Sequence, residues 1–98
     1  MENEFFRIEI DRTAGRVRLV GDVDLNTSRG LTETLLESGC TEVDCSELGF
    51  LDSSGVREFA SAHCAFEERG ETLLFTGLTG ALLQILKLTN LDTELHLA

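Results

Sequence analysis

Phe50-Leu51-Asp52-Ser53-Ser54-Gly55-Val56 is the segment where an apolar run stops at a polar turn and a helical pattern begins. Asp52, Ser53 and Ser54 are all favourable N-cap residues, because a short side-chain oxygen can accept one of the backbone N–H bonds left unpaired in a first helical turn. Gly55 follows inside that turn, where glycine costs up to about 1 kcal/mol relative to alanine. We interpret Gly55 as a position where another surface approaches closely, and the turn as the candidate site.

A serine in this turn is well placed to carry a phosphate, because unpaired N–H groups and the positive end of the helix dipole favour negative charge. A catalytic serine would instead need a nearby base, and His63 lies about 14 Å of helical rise beyond Ser54, on the apolar face. We therefore predict that His63 is a core or boundary residue and that His96, near the chain end, is a weaker candidate still. The sequence contains neither G-x-G-x-x-G nor G-x-x-x-x-G-K-[ST], so another protein must supply the nucleotide for any phosphorylation.

Two acidic residues, Asp22 and Asp24, end the second of two predicted strands. Two carboxylates without further oxygen ligands nearby are too few for the usual calcium loop, so we predict a solvated acidic loop with no metal and no cofactor. These acids would offer contacts to a basic partner surface. An alternative stays open, in which Asp22, Asp24 and Asp52 converge and perform acid/base chemistry in a small enzyme.

Hydrophobic periodicity predicts an α/β fold with a mixed sheet of four to five strands and helices packed against it. Segments 6–10 and 16–19 alternate apolar and charged residues, and the short connection between them requires an antiparallel pair. A further strand runs from Thr41 to Ser46 into segment 48–51. The strand at 72–76 contains three consecutive apolar residues, which predicts that both of its faces are covered.

Three helices complete the prediction. The first carries Leu31, Leu35 and Leu36, is capped by one of residues 26–28, and ends at Ser38-Gly39. The second has helical spacing from Val56 and lies between two strands, so the crossover should be parallel and right-handed. Gly77 and Thr79 open the last helix, and residues 94–97 form a short strand or a frayed end. The candidate turn then lies beyond the carboxyl end of a strand, where ligands and partners of open α/β sheets tend to bind.

Composition limits the kinds of partner. The 98 residues fit one domain, 1–98, and the formal net charge of −10 repels nucleic acid and anionic lipid surfaces, so a basic protein partner fits better. We find neither an apolar stretch of the roughly 20 residues needed to span a bilayer nor a signal-peptide pattern, and we expect a cytoplasmic protein. The three cysteines match no disulfide or zinc spacing, which predicts reduced thiols.

The sequence resembles the STAS domain family, and within it the stand-alone anti-sigma factor antagonists. The resemblance rests on segments 17–25, 50–56 and 86–91 and on Gly70, with the Asp-Ser-Ser-Gly block as its most specific part. It departs from the family in segment 42–46, where the family usually has a longer aliphatic run. STAS domains also occur as sensory or scaffold modules, which is the second reading of the resemblance.

The resemblance implies a non-enzymatic phosphorylation switch. The expected partner is an anti-sigma factor with a GHKL-type serine kinase fold, which releases its sigma factor on binding and inactivates the antagonist by phosphorylation. Ser53 matches the family's phosphorylated position, and Asp22, Asp24, Asp52, Ser54 and Gly55 are the expected contacts with the partner. A PP2C-type phosphatase would reverse the modification.

Overall fold

A computed structural model describes residues 5–98, which form five strands, three α-helices and one 3-10 turn. In chain order these are β1 (Phe6–Asp11), β2 (Arg16–Val23), α1 (Leu31–Ser38), β3 (Glu42–Leu51), α2 (Ser53–Glu68), β4 (Leu74–Thr76), α3 (Gly80–Leu88), the 3-10 turn Leu91–Thr93 and β5 (His96–Leu97).

The strands form one mixed sheet in the order β1-β2-β3-β4-β5. β1 pairs antiparallel with β2, and every later neighbour is parallel. The predicted α/β fold with a mixed sheet is therefore confirmed. The predicted short strand near the C-terminus also forms, since His96 and Leu97 pair with Leu74 and Phe75.

One face of the sheet and the inner faces of the helices share a hydrophobic core. Alternate residues along the strands point to this face, as the period-2 pattern requires. The sheet contributes Val17, Leu19, Val43, Leu51 and Phe75, and the helices contribute Leu31, Leu35, Phe59, Phe66 and Leu86, all of them buried. The core holds β3 and α2 in fixed positions on either side of the candidate turn.

The opposite face of the sheet carries ion pairs between neighbouring strands. Arg16 Nε lies 2.9 Å from Glu42 Oε2, and Arg18 Nε lies 3.0 Å from Asp44 Oδ2. Burial alone would raise the pKa of Asp44, but hydrogen bonds from Ser46 and Arg18 outweigh it and hold that pKa below its ordinary value. The charged segment that departs from the family's aliphatic run therefore has partners on this face.

This open face corrects the prediction for β4, which expected both faces of the strand to be covered. Phe75 is buried in the core, but Leu74 and Thr76 are only half-buried. Leu74 and Thr76 pair with Glu42 and Asp44 on the charged face. A continuous apolar run predicted two-sided burial, whereas the helices pack on one face only.

The start of α1 also differs from the prediction. Gly30 precedes the helix in the left-handed conformation (φ 80°) and provides no side-chain cap, so residues 26–28 do not cap it. Instead, Glu58 of α2 accepts the Thr32 N–H at 3.1 Å and the Thr32 hydroxyl at the same distance. A side chain distant in sequence therefore replaces the local cap, which no local pattern could predict.

The three thiols are free, with Cys40 and Cys45 buried and Cys64 exposed. Burial raises the pKa of the Cys45 thiol to about 12, so it behaves as a small apolar core residue. No helix within residues 5–98 has the length and apolar character that crossing a membrane requires.

Candidate functional site

Asp52 is the N-cap of α2. Its backbone is extended, and its Oδ1 atom accepts the N–H groups of Ser54 at 2.8 Å and Gly55 at 3.1 Å. Its own N–H donates to the Val23 carbonyl at 3.2 Å, which joins the turn to the end of β2. Of the three predicted capping candidates, Asp52 is the one that caps, so the capping role predicted for Ser54 is wrong.

Ser53 is the first residue of α2 and is exposed, whereas Ser54 is half-buried. The helix therefore begins three residues before Val56, where its apolar pattern begins. Of the four amides that an α-helix leaves unpaired at its start, those of Asp52, Ser54 and Gly55 already have acceptors within the chain. A phosphate on Ser53 would thus be favoured by the helix dipole and by the free backbone N–H of Ser53. The larger set of free N–H groups that the sequence suggested is not available.

Gly55 is buried, and the surface that approaches it closely belongs to the same chain. A Cβ atom built on Gly55 would lie 2.3 Å from Leu51 Cδ1 and 2.8 Å from Val23 Cγ1. The glycine therefore lets the first turn of α2 sit directly on the ends of β2 and β3. Its predicted role in admitting a partner is replaced by a packing role inside the domain.

A groove of about 270 Å³ opens beside Ser53, between the start of α2 and the end of α3. Its lining comprises the apolar residues Leu51, Val56, Ile85 and Leu88 and the polar residues Asp52, Ser53 and Thr89. Leu88 is 75% exposed and, beside the other apolar lining residues, forms part of the open apolar wall of this groove. Ile85 and Leu88 were not predicted as site residues, because helical periodicity does not show which end of α3 meets the turn.

Asp22 and Asp24 lie at the same edge of the sheet as the candidate turn, since Asp22 is paired with Phe50 near the end of β3. The Asp24 Oδ1 atom accepts the N–H groups of Asn26 at 2.9 Å and Thr27 at 3.1 Å, and so closes the loop after β2. Asp24 is therefore a structural loop residue as well as a half-exposed acid.

The acid/base alternative gains no support from this arrangement. One carboxylate oxygen each of Asp24 and Asp52 is already engaged by backbone amides. The groove includes Asp52 but neither Asp22 nor Asp24 in its lining. The edge instead combines half-exposed acids with the exposed apolar side chains of Leu25 and Phe50, a surface better suited to covering by a protein than to enclosing a substrate.

Two solved structures with the same fold are described as anti-sigma factor antagonists. TM1081 of Thermotoga maritima, a proposed anti-sigma factor antagonist, superposes with a TM-score of 0.74 at 14% identity, over 94% of this chain and 84% of its own. The anti-sigma factor antagonist SpoIIAA in its unphosphorylated form superposes with a TM-score of 0.66 at 15% identity, over 95% of this chain and 86% of its own. At these identities the likeness establishes the fold.

Comparison with curated protein sequences found no match. A family model described as "Mlab, STAS domain" matches residues 6–97, which is nearly the whole chain. The match spans the five strands, the three α-helices and the Asp52–Ser53 turn between β3 and α2. The chain therefore belongs to the STAS domain family.

Proposed function

We propose that this protein is an anti-sigma factor antagonist whose binding is switched off by phosphorylation of Ser53. The observation that carries the proposal is an exposed serine hydroxyl at the first position of α2, on the rim of an apolar groove. Ser53 itself is uncharged, and the Asp52 carboxylate on the same rim already accepts two backbone N–H groups. A partner can therefore cover this rim without burying a charge that lacks hydrogen bonds. The proposed partner is an anti-sigma factor with a GHKL-type serine kinase fold, in the cytoplasm.

The partner would act as the kinase and supply the nucleotide. The Ser53 Oγ atom attacks the γ-phosphorus of ATP bound to the kinase, the bond to the bridging oxygen of ADP breaks, and the serine proton passes to a base of the kinase. This protein presents the serine to the kinase, because the Asp52 cap fixes the backbone of the first turn of α2, on which the exposed Ser53 lies. A PP2C-type phosphatase would restore the serine by hydrolysis.

The phosphate would weaken binding through charge at the groove. It adds about −1.5 to −2 charges beside the Asp52 carboxylate and next to the apolar Leu88 rim. Since three of the four first-turn amides are already engaged, the protein offers the dianion little internal compensation. A partner that covers the groove must then desolvate the phosphate, and we expect a loss of about two to three decades in affinity, roughly 2.7 to 4.1 kcal/mol.

Labelling with the purified partner and ATP tests the proposal. We expect phosphate incorporation in the wild-type protein only when the kinase is added, and none in Ser53→Ala. Ser54→Ala is the matched control, because it removes a neighbouring hydroxyl that does not cap the helix, and it should be labelled normally. Peptide mapping that places the label on Ser54 would overturn the assignment of Ser53.

The family match supports one second candidate. The matching family model is described as "Mlab, STAS domain", which is compatible with a STAS sensory or scaffold module of a larger signalling complex. Pull-down from the source cell with mass spectrometry separates the two. Recovery of an anti-sigma factor supports the antagonist, whereas recovery of an unrelated complex together with an unlabelled Ser53 supports the module.

A further inference from the structure

Two histidines and a glutamate from distant parts of the chain meet on the side of α2. His63 and Glu67 lie one turn apart on α2, and His96 comes from β5. The His96 Nε2 atom lies 2.9 Å from Glu67 Oε1, and the His63 Nδ1 atom lies 4.0 Å from the same oxygen. Ligand atoms of all three side chains fall within 4.8 Å of one another.

The buried nitrogen of His63 has no hydrogen-bond partner. Its Nδ1 atom is inaccessible to solvent, and it is the buried side-chain polar atom among residues 5–98 that lacks an acceptor or donor. Buried polar atoms in folded proteins are nearly always satisfied, so an exception indicates a possible role for this nitrogen, such as binding an ion. This nitrogen faces the other two groups of the cluster, with the His63 and His96 ring centroids 5.4 Å apart.

We propose that His63, Glu67 and His96 form a binding site for a divalent transition-metal ion, with Zn²⁺ as the best fit. Two imidazoles and one carboxylate match the ligand chemistry of zinc, which bonds nitrogen at 2.0–2.1 Å and oxygen at 2.0–2.2 Å. Tetrahedral coordination at those lengths places ligand atoms about 3.3 Å apart. The present separations of the ligand atoms, from 2.9 Å up to 4.8 Å at most, bracket that spacing.

Three protein ligands leave room for water in the coordination shell of the ion. The site lies between α2 and β5, so a bound ion would link these two elements. Glu67 and His96 are about half-exposed, whereas the His63 side chain is 16% exposed, so an ion can enter from the solvent side. The ion would join β5, which is two residues long, to the long helix that begins at Ser53. Because this bond is absent from the unfolded chain, metal binding should stabilise the fold.

Titration of the protein without an affinity tag tests the site, with zinc chloride as the probe. Calorimetry should show one ion bound per chain, and the thermal unfolding midpoint should rise with zinc. His96→Gln removes an exposed ligand without opening the core, and we expect it to weaken zinc binding at least about 10-fold. Replacing residues that only hydrogen-bond to metal ligands already costs about 10-fold or more, so losing a ligand should cost at least as much. His63→Gln should act in the same direction, and circular dichroism checks its fold.

Two control variants separate this site from other zinc-binding groups. Glu68→Gln removes the carboxylate next to Glu67 on the exposed side of α2, and Cys64→Ser removes the exposed thiol. Both should bind zinc as the wild-type protein does. Absence of saturable binding, or a loss in Cys64→Ser with none in His96→Gln, would overturn the proposal.

Discussion

Sequence alone does not distinguish Asp52 from Ser54 as the helix cap. Alanine variants at the two positions should nevertheless differ in stability. Asp52→Ala removes the acceptor of two first-turn amides, and we expect it to lower the free energy of unfolding by about 1 kcal/mol. Ser54→Ala removes no cap and should change stability by less than about 0.5 kcal/mol. Urea unfolding of both variants measures the difference. Equal losses would show that Ser54 shares the capping role.

Asp44 links stability to acidic pH. Its pKa is held below the ordinary value of 3.8, so folding favours the ionised form, and the resulting stability is present above that value and lost as the pH falls through the lowered pKa. Asp44→Asn should therefore lower the free energy of unfolding by about 0.5–1 kcal/mol at pH 7. The difference from wild type should disappear at strongly acidic pH.

Denaturant unfolding at both pH values measures this effect. Glu9→Gln is the matched control, because Glu9 also meets Arg18 but at 3.9 Å and with 43% of its side chain exposed. That variant should follow the wild type closely at both pH values. A penalty for Asp44→Asn that persists at low pH would mean that the carboxamide disturbs packing and that charge is not the cause.

The first turn of α2 packs on the sheet without room for a side chain. Gly55→Ala raises helix propensity by up to about 1 kcal/mol, but its Cβ atom would overlap Leu51 and Val23. Overpacking of this kind costs about 1–3 kcal/mol, so we expect net destabilisation. Ser61→Ala, at an exposed position of the same helix, should be neutral or slightly stabilising. If Gly55→Ala were as stable as Ser61→Ala, the helix would have to sit farther from the sheet.

Several elements were predictable because their signals are local. The alternation in segments 6–10 and 16–19 predicted β1 and β2, and Ser38-Gly39 marked the end of α1 correctly, with Gly39 in the left-handed conformation. The polar block Asp52-Ser53-Ser54 marked the start of α2 correctly, because the helix begins at Ser53 with Asp52 as its cap, although its apolar pattern starts only at Val56. The prediction that both faces of β4 are covered was wrong, because a three-residue apolar run does not show whether helices pack on one face of the sheet or on both.

The candidate site was only partly predictable, because its surroundings come from distant segments. The Asp-Ser-Ser-Gly block identified the turn, and the parallel arrangement of β2 and β3 brings Asp22 to the same edge. The groove wall formed by Ile85 and Leu88 depends on how α3 crosses the sheet. The meeting of His63 with His96 depends on where β5 ends the sheet. The spacing of residues along the sequence predicts neither the groove wall nor the contact between the two histidines.

The net charge of the protein separates two ways in which phosphorylation could weaken binding. With a formal net charge of −10, one added negative charge changes long-range attraction to a basic partner only slightly. If the charge acts inside the interface, Ser53→Asp should mainly raise the dissociation rate and leave the association rate within about a factor of two to three.

Ser61→Asp is the matched control for that comparison, because it adds the same charge to an exposed position of the same helix, away from the groove lining. Surface plasmon resonance against the purified partner at two salt concentrations gives both rates. Ser61→Asp should bind as the wild type does, whereas Ser53→Asp should dissociate about 10-fold faster or more, at low and high salt alike, because a charge buried in the interface is screened little by salt. An association rate that falls equally in both variants and recovers at high salt would instead assign the switch to long-range repulsion.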